Sequence, residues 1–273
     1  MKSVKGLIGV TDSGVGGLSV LAHALDVLPN ERFLFFADQA FIPYGDKPVH
    51  EIVHRVQRVA TWFHEHDCKA LVLACNTATA AAAEPVRHQY AHWPVVGIEP
   101  AVKPAALMTQ SGKVGILATA NTLTSERFKS LVARFETVAE VVAQPCKGLV
   151  ELIEVMPMNH EAIVELLKPN VQILLNAGVD VIVLGCTHYP FVREHIQKLA
   201  GQQVQVIDTG IPVARHLHTR LKEANLLVEQ AASSLDCERV HFYTTGQPQL
   251  FKQAVVGLLG AQWQNAQVSH LNL

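Results

Sequence analysis

The chain has 273 residues, enough for one large domain or two modest domains with full cores. Apolar residues make up 49% of it and charged residues 17%, a composition typical of globular rather than disordered proteins. The net charge of −2 offers no basic surface to a phosphate backbone, so no nucleic-acid partner is expected. Glycine, proline or charge interrupts every apolar run before it reaches the length of a membrane span, so no membrane partner is expected either.

Five cysteines are scattered along the chain without CxxC spacing, namely Cys68, Cys75, Cys146, Cys186 and Cys237. The first residues run directly into a strand and a glycine loop, without the apolar segment and cleavage site of a signal peptide. An odd number of thiols in such a chain indicates a reducing compartment, and we expect a cytoplasmic protein. The same spacing argues against a zinc site, so no metal is expected.

Short apolar, β-branched runs alternate with helix-length amphipathic segments, which is the pattern of βαβ units in an α/β protein. Strands are predicted at Leu7–Val10, Arg32–Ala37, Ala70–Ala74, Val95–Ile98, Lys113–Ala118, Val138–Val142, Val181–Leu184, Val204–Ile207 and Val240–Tyr243. Helices are predicted between them at Val49–His66, Ser125–Phe135, His160–Ala177 and Phe191–Leu199. Pro169 is expected to kink or split the third of these helices.

The chain contains two similar halves. GVTDSGVGG and GILATANTL both read as a strand, a polar turn and a helix, and LVLACNT and VIVLGCT repeat at nearly the same interval. We therefore predict two similar doubly wound parallel-sheet domains related by pseudo-twofold symmetry, with the active site in the cleft between them. The first domain is expected to be discontinuous and to combine residues 1–97 with 211–273, while residues 98–210 form the second.

Two cysteines stand at the carboxyl ends of predicted strands, Cys75 in ALVLACNTATA and Cys186 in VIVLGCTHYP. Open α/β sheets carry their chemistry at this end, and a thiol at the start of the following helix is expected to have a lowered pKa. Two such thiols facing one another can remove a proton from one face of a carbon and return one to the other. The pair predicts stereochemical inversion, although lone cysteines are often inert core residues, and Cys186 with His188 also fits a cysteine hydrolase.

Two polar loops are candidates for the walls of the same site. The segment TDSGVGG follows the first strand, and its glycines and helix N-terminus suit a carboxylate or a phosphate, although its spacing matches no phosphate-loop signature. Asp12 in this segment is either a site residue or a helix N-cap. The loop ADQAFIPYGDK can present backbone groups near Pro43 and Gly45 and the phenol of Tyr44 to a ligand, or it is only a structured βα loop.

The order of several motifs points to one family. TDSGVGGLSVL, ADQAFIPYG, ACNTATAAA, VVGIEP, LGCTHYP and FYTTG follow one another, and the chain resembles the glutamate racemases of the aspartate/glutamate racemase superfamily over essentially its whole length. The resemblance implies a cofactor-independent enzyme of two similar α/β domains that interconverts L- and D-glutamate. It also implies that glutamate is the small-molecule partner and that D-glutamate is supplied for bacterial peptidoglycan synthesis; a homodimer is left open.

The resemblance further implies roles for individual residues. Cys75, assisted by Asp12, acts on the D-glutamate face, and Cys186, assisted by His188, acts on the L-glutamate face. A family glutamate in the second half aligns with Glu151. The substrate contacts implied in this way are Asp12, Ser13, Pro43, Tyr44, Gly45, Asn76, Thr77, Glu151, Thr187 and His188. Two segments depart from the family pattern: ATANTLTS, where a glycine-containing turn is common, and QPCKGLVELIE, where the family reads CPLFVPLVE.

The chemistry of the reaction bears on the cofactor. An amino-acid α-proton is weakly acidic, and pyridoxal phosphate bound to a lysine commonly assists its removal. No lysine of this chain stands in a strand-end, glycine-rich context, so no cofactor is expected. Three alternatives remain open: a racemase of the same superfamily with another substrate such as aspartate, a cysteine hydrolase, and a binding protein for small carboxylates.

Overall fold

A computed structural model describes residues 6–229 and 236–273 of the chain. The strands of these residues are β1 (Ile8–Asp12), β2 (Phe33–Ala37), β3 (Ala70–Leu73), β4 (Val95–Gly97), β5 (Lys113–Ala118), β6 (Glu140–Pro145), β7 (Val181–Leu184), β8 (Gln205–Ile207), β9 (Val240–Thr244) and β10 (Val268–His270). Their helices are α1 (Leu18–Val27), α2 (Val49–Glu65), α3 (Asn76–Gln89), α4 (Val102–Met108), α5 (Ala120–Thr124), α6 (Glu126–Ala133), α7 (Leu149–Glu154), α8 (His160–Asn176), α9 (Arg193–Ala200), α10 (Gly210–Glu223), α11 (Asp236–Arg239) and α12 (Pro248–Leu259). Short 3₁₀ turns lie at Gln39–Phe41, Tyr44–Asp46, Tyr189–Val192 and Ala261–Trp263.

The strands form two parallel sheets with the same internal order. The first sheet runs β10-β9-β2-β1-β3-β4 and the second runs β6-β5-β7-β8, with every neighbouring pair parallel. The order of β2, β1, β3 and β4 is repeated by β6, β5, β7 and β8, so the first β-strand of each half lies between the next two. The predicted fold class, two similar parallel-sheet domains, is therefore confirmed.

Both faces of each sheet are covered, as the continuous apolar runs predict for parallel strands. Along β2 the side chains alternate between two apolar clusters, with Phe33 and Phe35 in one and Leu34 and Phe36 in the other. Each such buried side chain contributes roughly 1.5–3 kcal/mol through its removal from water. The same alternation holds in β5 and β7, and the largest cluster covers one face of each sheet.

The chain returns to the first sheet after the second is complete. Helix α10 packs against α1, and β9 and β10 extend the first sheet beyond β2. The segment after α10 is also fixed there, because Lys69 Nζ donates to the Leu226 carbonyl oxygen at 2.8 Å and Val228 N–H donates to Glu31 Oε1 at 3.0 Å. This path agrees with a discontinuous first domain, and the boundaries at residues 97 and 211 stay predictions.

Each of the nine predicted strands is present, with ends that differ by up to three residues, and the short edge strand β10 was not predicted. Pro169 was expected to kink or split its helix; a split is wrong, because α8 continues from His160 to Asn176 with Pro169 inside it, and the kink stays a prediction. Ile163 and Leu167 before the proline and Val171 and Leu174 after it are all buried, so core packing on both sides offsets the lost backbone hydrogen bond. Among the described residues, the structure contains no helix that could cross a membrane.

Candidate active site

A pocket of about 310 Å³ lies where the carboxyl ends of strands from both sheets meet. Ser13 follows β1, Cys75 follows β3 and Cys186 follows β7, so the topology brings these three positions together. The lining residues are Ser13, Pro43, Tyr44, Gly45, Cys75, Asn76, Thr77, Thr119, Thr122, Val150, Cys186, Thr187 and His188.

Cys75 lies at the N-cap of α3, as its position after the strand predicts. Its Sγ accepts a hydrogen bond from Ala78 N–H at 3.4 Å, and Ser13 Oγ lies 3.8 Å away as a further donor. The expected lowering of the thiol pKa is wrong for this state of the protein. Burial, reinforced by the negative charge of Asp12, outweighs the Ala78 N–H and raises the Cys75 pKa to about 12. Cys75 is therefore a neutral thiol at physiological pH.

Cys186 faces a histidine that is itself held by a carboxylate. The Cys186 Sγ lies 3.7 Å from His188 Nδ1, and His188 Nε2 lies 2.6 Å from Glu154 Oε1. Burial disfavours the charged imidazole, but the hydrogen bonds to Cys186 and Glu154 outweigh burial and raise the His188 pKa well above its ordinary value. His188 is thus an imidazolium at neutral pH, and it holds a positive charge beside the Cys186 thiol.

The carboxylate of Glu154 is built into this arrangement. Burial alone would raise its pKa, but hydrogen bonds from His188, Gln39 Nε2 (2.9 Å) and Val15 N–H (2.6 Å) hold the Glu154 pKa below its ordinary value. The predicted glutamate, Glu151, lies one turn earlier on α7, is exposed, and lines a neighbouring pocket rather than this one. The glutamate that touches the predicted site is therefore Glu154, and Glu151 as a substrate contact finds no support in this geometry.

Asp12 is not among the lining residues and is hydrogen-bonded to the second cysteine motif. Its Oδ2 accepts a hydrogen bond from Thr187 Oγ1 at 3.0 Å, and its Oδ1 accepts one from Gly14 N–H at 2.9 Å. Burial raises the Asp12 pKa, against the lowering effects of the His188 charge and of these two bonds. Asp12 does not cap α1, whose N-cap is Gly17. The alternative that Asp12 is only a helix cap is thus excluded.

The glycine loop between β1 and α1 is a contact surface for the second domain. A Cβ at Gly14 would lie 1.9 Å from Glu154 Oε1, and a Cβ at Gly16 would lie 2.4 Å from His188 Nδ1. No side chain fits at either position. The anion bound by this loop in the structure is the protein's own Glu154, which Val15 N–H contacts.

Polar groups of both domains face the pocket beside Cys75. The hydroxyls of Thr77, Thr119 and Thr122 lie within 2.9–3.2 Å of one another, so Thr77 of the first domain contacts two threonines of the second. Asn76 is only 4% exposed, and neither its Oδ1 nor its Nδ2 has a hydrogen-bond partner in the described part of the chain. A buried amide without partners is costly, and a polar ligand in the pocket would satisfy it.

The loop that carries Pro43, Tyr44 and Gly45 reaches the pocket as expected, but the Tyr44 phenol is not free for a ligand. Its hydroxyl donates to Asp38 Oδ2 at 2.6 Å, and burial together with the Asp38 charge raises the Tyr44 pKa well above its ordinary value. Arg55 forms a two-bond ion pair with Asp38, with distances of 2.7 Å to each oxygen. This network holds the tyrosine from behind the pocket.

Asn121 fixes the same loop to the second domain. Its Nδ2 donates to the backbone oxygens of Tyr44 (3.1 Å) and Lys47 (2.8 Å), and Gly45 approaches Thr119 so closely that a Cβ would lie 2.9 Å from the threonine Cβ. Sequence analysis missed Asn121, Thr119 and Thr122. The matched segments GVTDSGVGG and GILATANTL contained a signal for them, because the polar turn after β5 is the counterpart of the turn that carries Ser13.

Comparison with known proteins agrees with this geometry. Residues 20–217 match the family model for Asp/Glu/hydantoin racemases. A curated glutamate racemase from Pseudomonas putida is 49% identical over 246 residues, which is 90% of this chain and 91% of the relative. Among solved structures, glutamate racemase isoform RacE1 from Bacillus anthracis has a TM-score of 0.88 and 30% identity and covers 98% of both chains. Glutamate racemase from Francisella tularensis, in complex with D-glutamate, has a TM-score of 0.82 and 28% identity with 98% of both chains covered. The chain belongs to the Asp/Glu/hydantoin racemase family.

Proposed function

We propose that this protein is a cofactor-independent glutamate racemase in which Cys75 and Cys186 act as a pair of acid/base groups. The observation that carries the proposal is the pair of thiols from opposite sheets that line one small polar pocket. The curated relative from Pseudomonas putida and the solved relatives from Bacillus anthracis and Francisella tularensis are glutamate racemases, and the last of these is in complex with D-glutamate.

The reaction divides into two proton transfers. One thiolate takes the α-proton from one face of the substrate carbon, and the thiol on the other face gives up its proton to that carbon. Cys75 is neutral in the free protein and suits the donor role, while the His188 imidazolium can balance a thiolate at Cys186. After one turnover the proton is on the other cysteine, and the reverse reaction proceeds by the same steps with the roles exchanged.

The carbanion between these steps needs stabilisation without a cofactor. The unpartnered amide of Asn76 and the hydroxyl of Thr77 line the pocket and are preorganised donors for the substrate carboxylates. Their burial strengthens each such interaction, because little water competes within a pocket of this size. Cys75 supplies the proton that is transferred, and the positive charge of His188 balances the negative charge at Cys186.

Aspartate is the nearest alternative substrate, and the first experiment separates it from glutamate. L-Glutamate is incubated with the protein in D₂O without added cofactor, and optical rotation and loss of the α-proton signal are followed together. Exchange with racemisation is the expected result. If the α-proton of aspartate exchanges and that of glutamate does not, the substrate is aspartate and the two-thiol mechanism still holds. If neither exchanges, a cysteine hydrolase or a binding protein is favoured.

The roles of the two thiols are tested by removing each in turn. Cys75→Ala and Cys186→Ala are each expected to lose steady-state racemisation while remaining folded, because each leaves one face of the carbon without an acid or base. General acid/base groups typically contribute about 10²–10⁴-fold. The control is Cys237→Ala, which removes a half-buried thiol far from the pocket lining. Wild-type activity in either pocket variant would contradict the two-base mechanism.

We propose further that the enzyme works in the bacterial cytoplasm and supplies D-glutamate for peptidoglycan. The five cysteines are free thiols, as is usual in a reducing compartment, and the curated relatives are bacterial glutamate racemases. Expression of the chain in a bacterium that requires added D-glutamate is expected to relieve the requirement. The Cys186→Ala variant is the matched negative control, and relief by that variant would contradict the proposal.

A further inference from the structure

A chain of hydrogen bonds crosses the domain boundary behind the pocket and ends at a proposed catalytic thiol. Thr244 Oγ1 donates to Gln39 Oε1 at 2.9 Å, and Gln39 Nε2 donates to Glu154 Oε2 at 2.9 Å. The other Glu154 oxygen binds His188, which faces Cys186. Gln39 does not line the pocket; it lies in the loop ADQAFIPYGDK, in which only Pro43, Tyr44 and Gly45 were predicted as site residues.

The orientation of the Gln39 amide follows from its neighbours. An ionised carboxylate only accepts hydrogen bonds, so the NH₂ group of Gln39 must face Glu154 and its oxygen must face Thr244. Thr244 Oγ1 already accepts a bond from Gly246 N–H at 2.9 Å, which leaves its own proton for Gln39. Every donor in this series therefore points towards Glu154, and Thr244 at its far end is fully buried.

Both oxygens of Glu154 are held by the first domain, and Oε1 is also held by His188 of the second. Oε1 receives Val15 N–H and His188 Nε2, and Gln39 Nε2 is the partner that the described residues supply to Oε2. The Glu154 side chain is only 11% exposed, so water has little access to replace a lost donor. The hydrogen bond from Gln39 thus restricts the rotation of the Glu154 carboxylate about the Cγ–Cδ bond and keeps Oε1 directed at His188.

We propose that Gln39 is a positioning residue that orients Glu154 across the domain boundary, and through Glu154 the His188 imidazole that faces Cys186. Gln39 touches neither substrate nor the reacting thiols, and its influence on the reaction is carried by Glu154. The catalytic part of this inference rests on the proposed racemase function. Gln39 lies on the first domain and Glu154 on the second, so this alignment exists only when the two domains are in contact.

Three variants separate positioning from simple structural support. Gln39→Met keeps the length of the side chain and removes the donor, while Gln39→Glu replaces the donor with a second carboxylate close to Glu154. Gln247→Met is the matched control, because Gln247 is exposed and its side chain does not cap α12. Circular dichroism and thermal unfolding check that each variant is folded.

The pH profile of kcat/KM is the first measurement. The titratable groups facing Glu154 are His188 and Asp12, and neither is altered by these substitutions. Without the donor, Glu154 takes up a proton more readily, so the acid limb for Gln39→Met is expected to move up by about one pH unit. Activity at neutral pH is expected to fall roughly tenfold for a separate reason, because the carboxylate no longer holds the His188 imidazole in line with Cys186. Gln39→Glu is expected to move the limb further, because two adjacent carboxylates share a proton. An unmoved limb in both variants, or a loss that is equal at every pH, would overturn the proposal.

A second measurement needs no turnover. The ¹³C carboxyl signal of Glu154, assigned by its absence in Glu154→Gln, reports the protonation of that group directly. Its inflection is expected about one pH unit higher in Gln39→Met than in the wild type and in Gln247→Met. If glutamate is not racemised but this inflection moves, the proposed function fails while the positioning of Glu154 by Gln39 stands. An unmoved inflection would overturn the role of Gln39 whatever the substrate.

Discussion

Alanine at position 16 tests the contact between the glycine loop and the second cysteine motif. A Cβ there would lie 2.4 Å from His188 Nδ1 and 2.5 Å from Thr187 Oγ1. Favourable contacts between heavy atoms lie near 3.5–4.0 Å, so either the loop or the histidine must move by about 1 Å. Nδ1 is the atom that faces Cys186, so a movement of the histidine breaks that hydrogen bond.

The structure sets the expected magnitude of the Gly16→Ala effect. Overpacking of a close-packed interior costs about 1–3 kcal/mol in the free energy of unfolding. A misplacement of about 1 Å at a catalytic group costs about 100-fold in rate. We therefore expect a folded variant whose unfolding free energy is lower by about 1–3 kcal/mol and whose kcat/KM for glutamate is about 100-fold lower.

The control is the same substitution in a helix. Gly257 lies in α12, and the nearest atom to its added Cβ is Met156 Sδ at an ordinary 3.6 Å. Gly257→Ala is expected to keep wild-type activity and to gain up to about 1 kcal/mol, because alanine favours the helix. Polarimetry with each enantiomer measures activity, and urea unfolding measures stability. Wild-type kcat/KM in Gly16→Ala, or an equal loss in Gly257→Ala, would refute the close-approach argument.

Three further substitutions test the surrounding network. The pKa of Glu154 is lowered from 4.5 and that of His188 is raised above 6.5, so their pair stabilises the fold fully between about pH 4.5 and 6.5. This contribution is lost as the pH falls through the pKa of Glu154 in the folded protein or rises through that of His188. The melting temperatures of the wild type and Glu154→Gln should therefore differ most inside that window. A difference that does not depend on pH would contradict the pairing. Asp38→Ala removes the carboxylate that balances the charge of the buried Arg55 and should lower the free energy of urea unfolding by about 3–5 kcal/mol, whereas a loss below about 1 kcal/mol would show the pair to be unimportant. Asn121→Ala removes two hydrogen bonds, worth about 1 kcal/mol each, from the loop that carries Tyr44 and Gly45. KM for glutamate should therefore rise about tenfold with kcat nearly unchanged, and an unaltered KM in initial-rate kinetics would exclude this role.

The fold was predictable because its signals are local and repeated. Apolar runs of strand length, interrupted by glycine and polar turns, predicted nine strands, and the similarity of LVLACNT to VIVLGCT predicted two halves. Strand β10 was missed because it is a three-residue edge strand, half-buried at Val268 and exposed at Ser269 and His270. The continuity of α8 through Pro169 was missed because it depends on core contacts of the finished structure.

The site was predictable as far as motifs follow strand ends. Cys75 and Cys186 were chosen because each follows a predicted strand. The glutamate was assigned to Glu151, although counting from the cysteine in QPCKGLVELIE as in CPLFVPLVE leads to Glu154, the residue of α7 that contacts His188. The Cys75 pKa was expected to be low because the helix N-terminus is visible in the sequence. The burial that raises this pKa is a property of the closed pocket and leaves no local trace in the chain.

The repetition of one strand order in both domains has a stereochemical consequence. Two copies of a chain of L-residues are related by rotation, whereas L- and D-glutamate are related only by reflection. A rotation cannot turn the surroundings of one enantiomer into those of the other, so the two walls of the pocket need not be alike. They do differ, because Cys75 contacts a backbone amide and Cys186 contacts an imidazole. Because enantiomers in solution have equal free energy, a racemase must nevertheless have the same kcat/KM in both directions. The difference between the walls can appear only in kcat and KM separately, so the enantiomer with the lower KM must have a kcat that is lower in the same ratio.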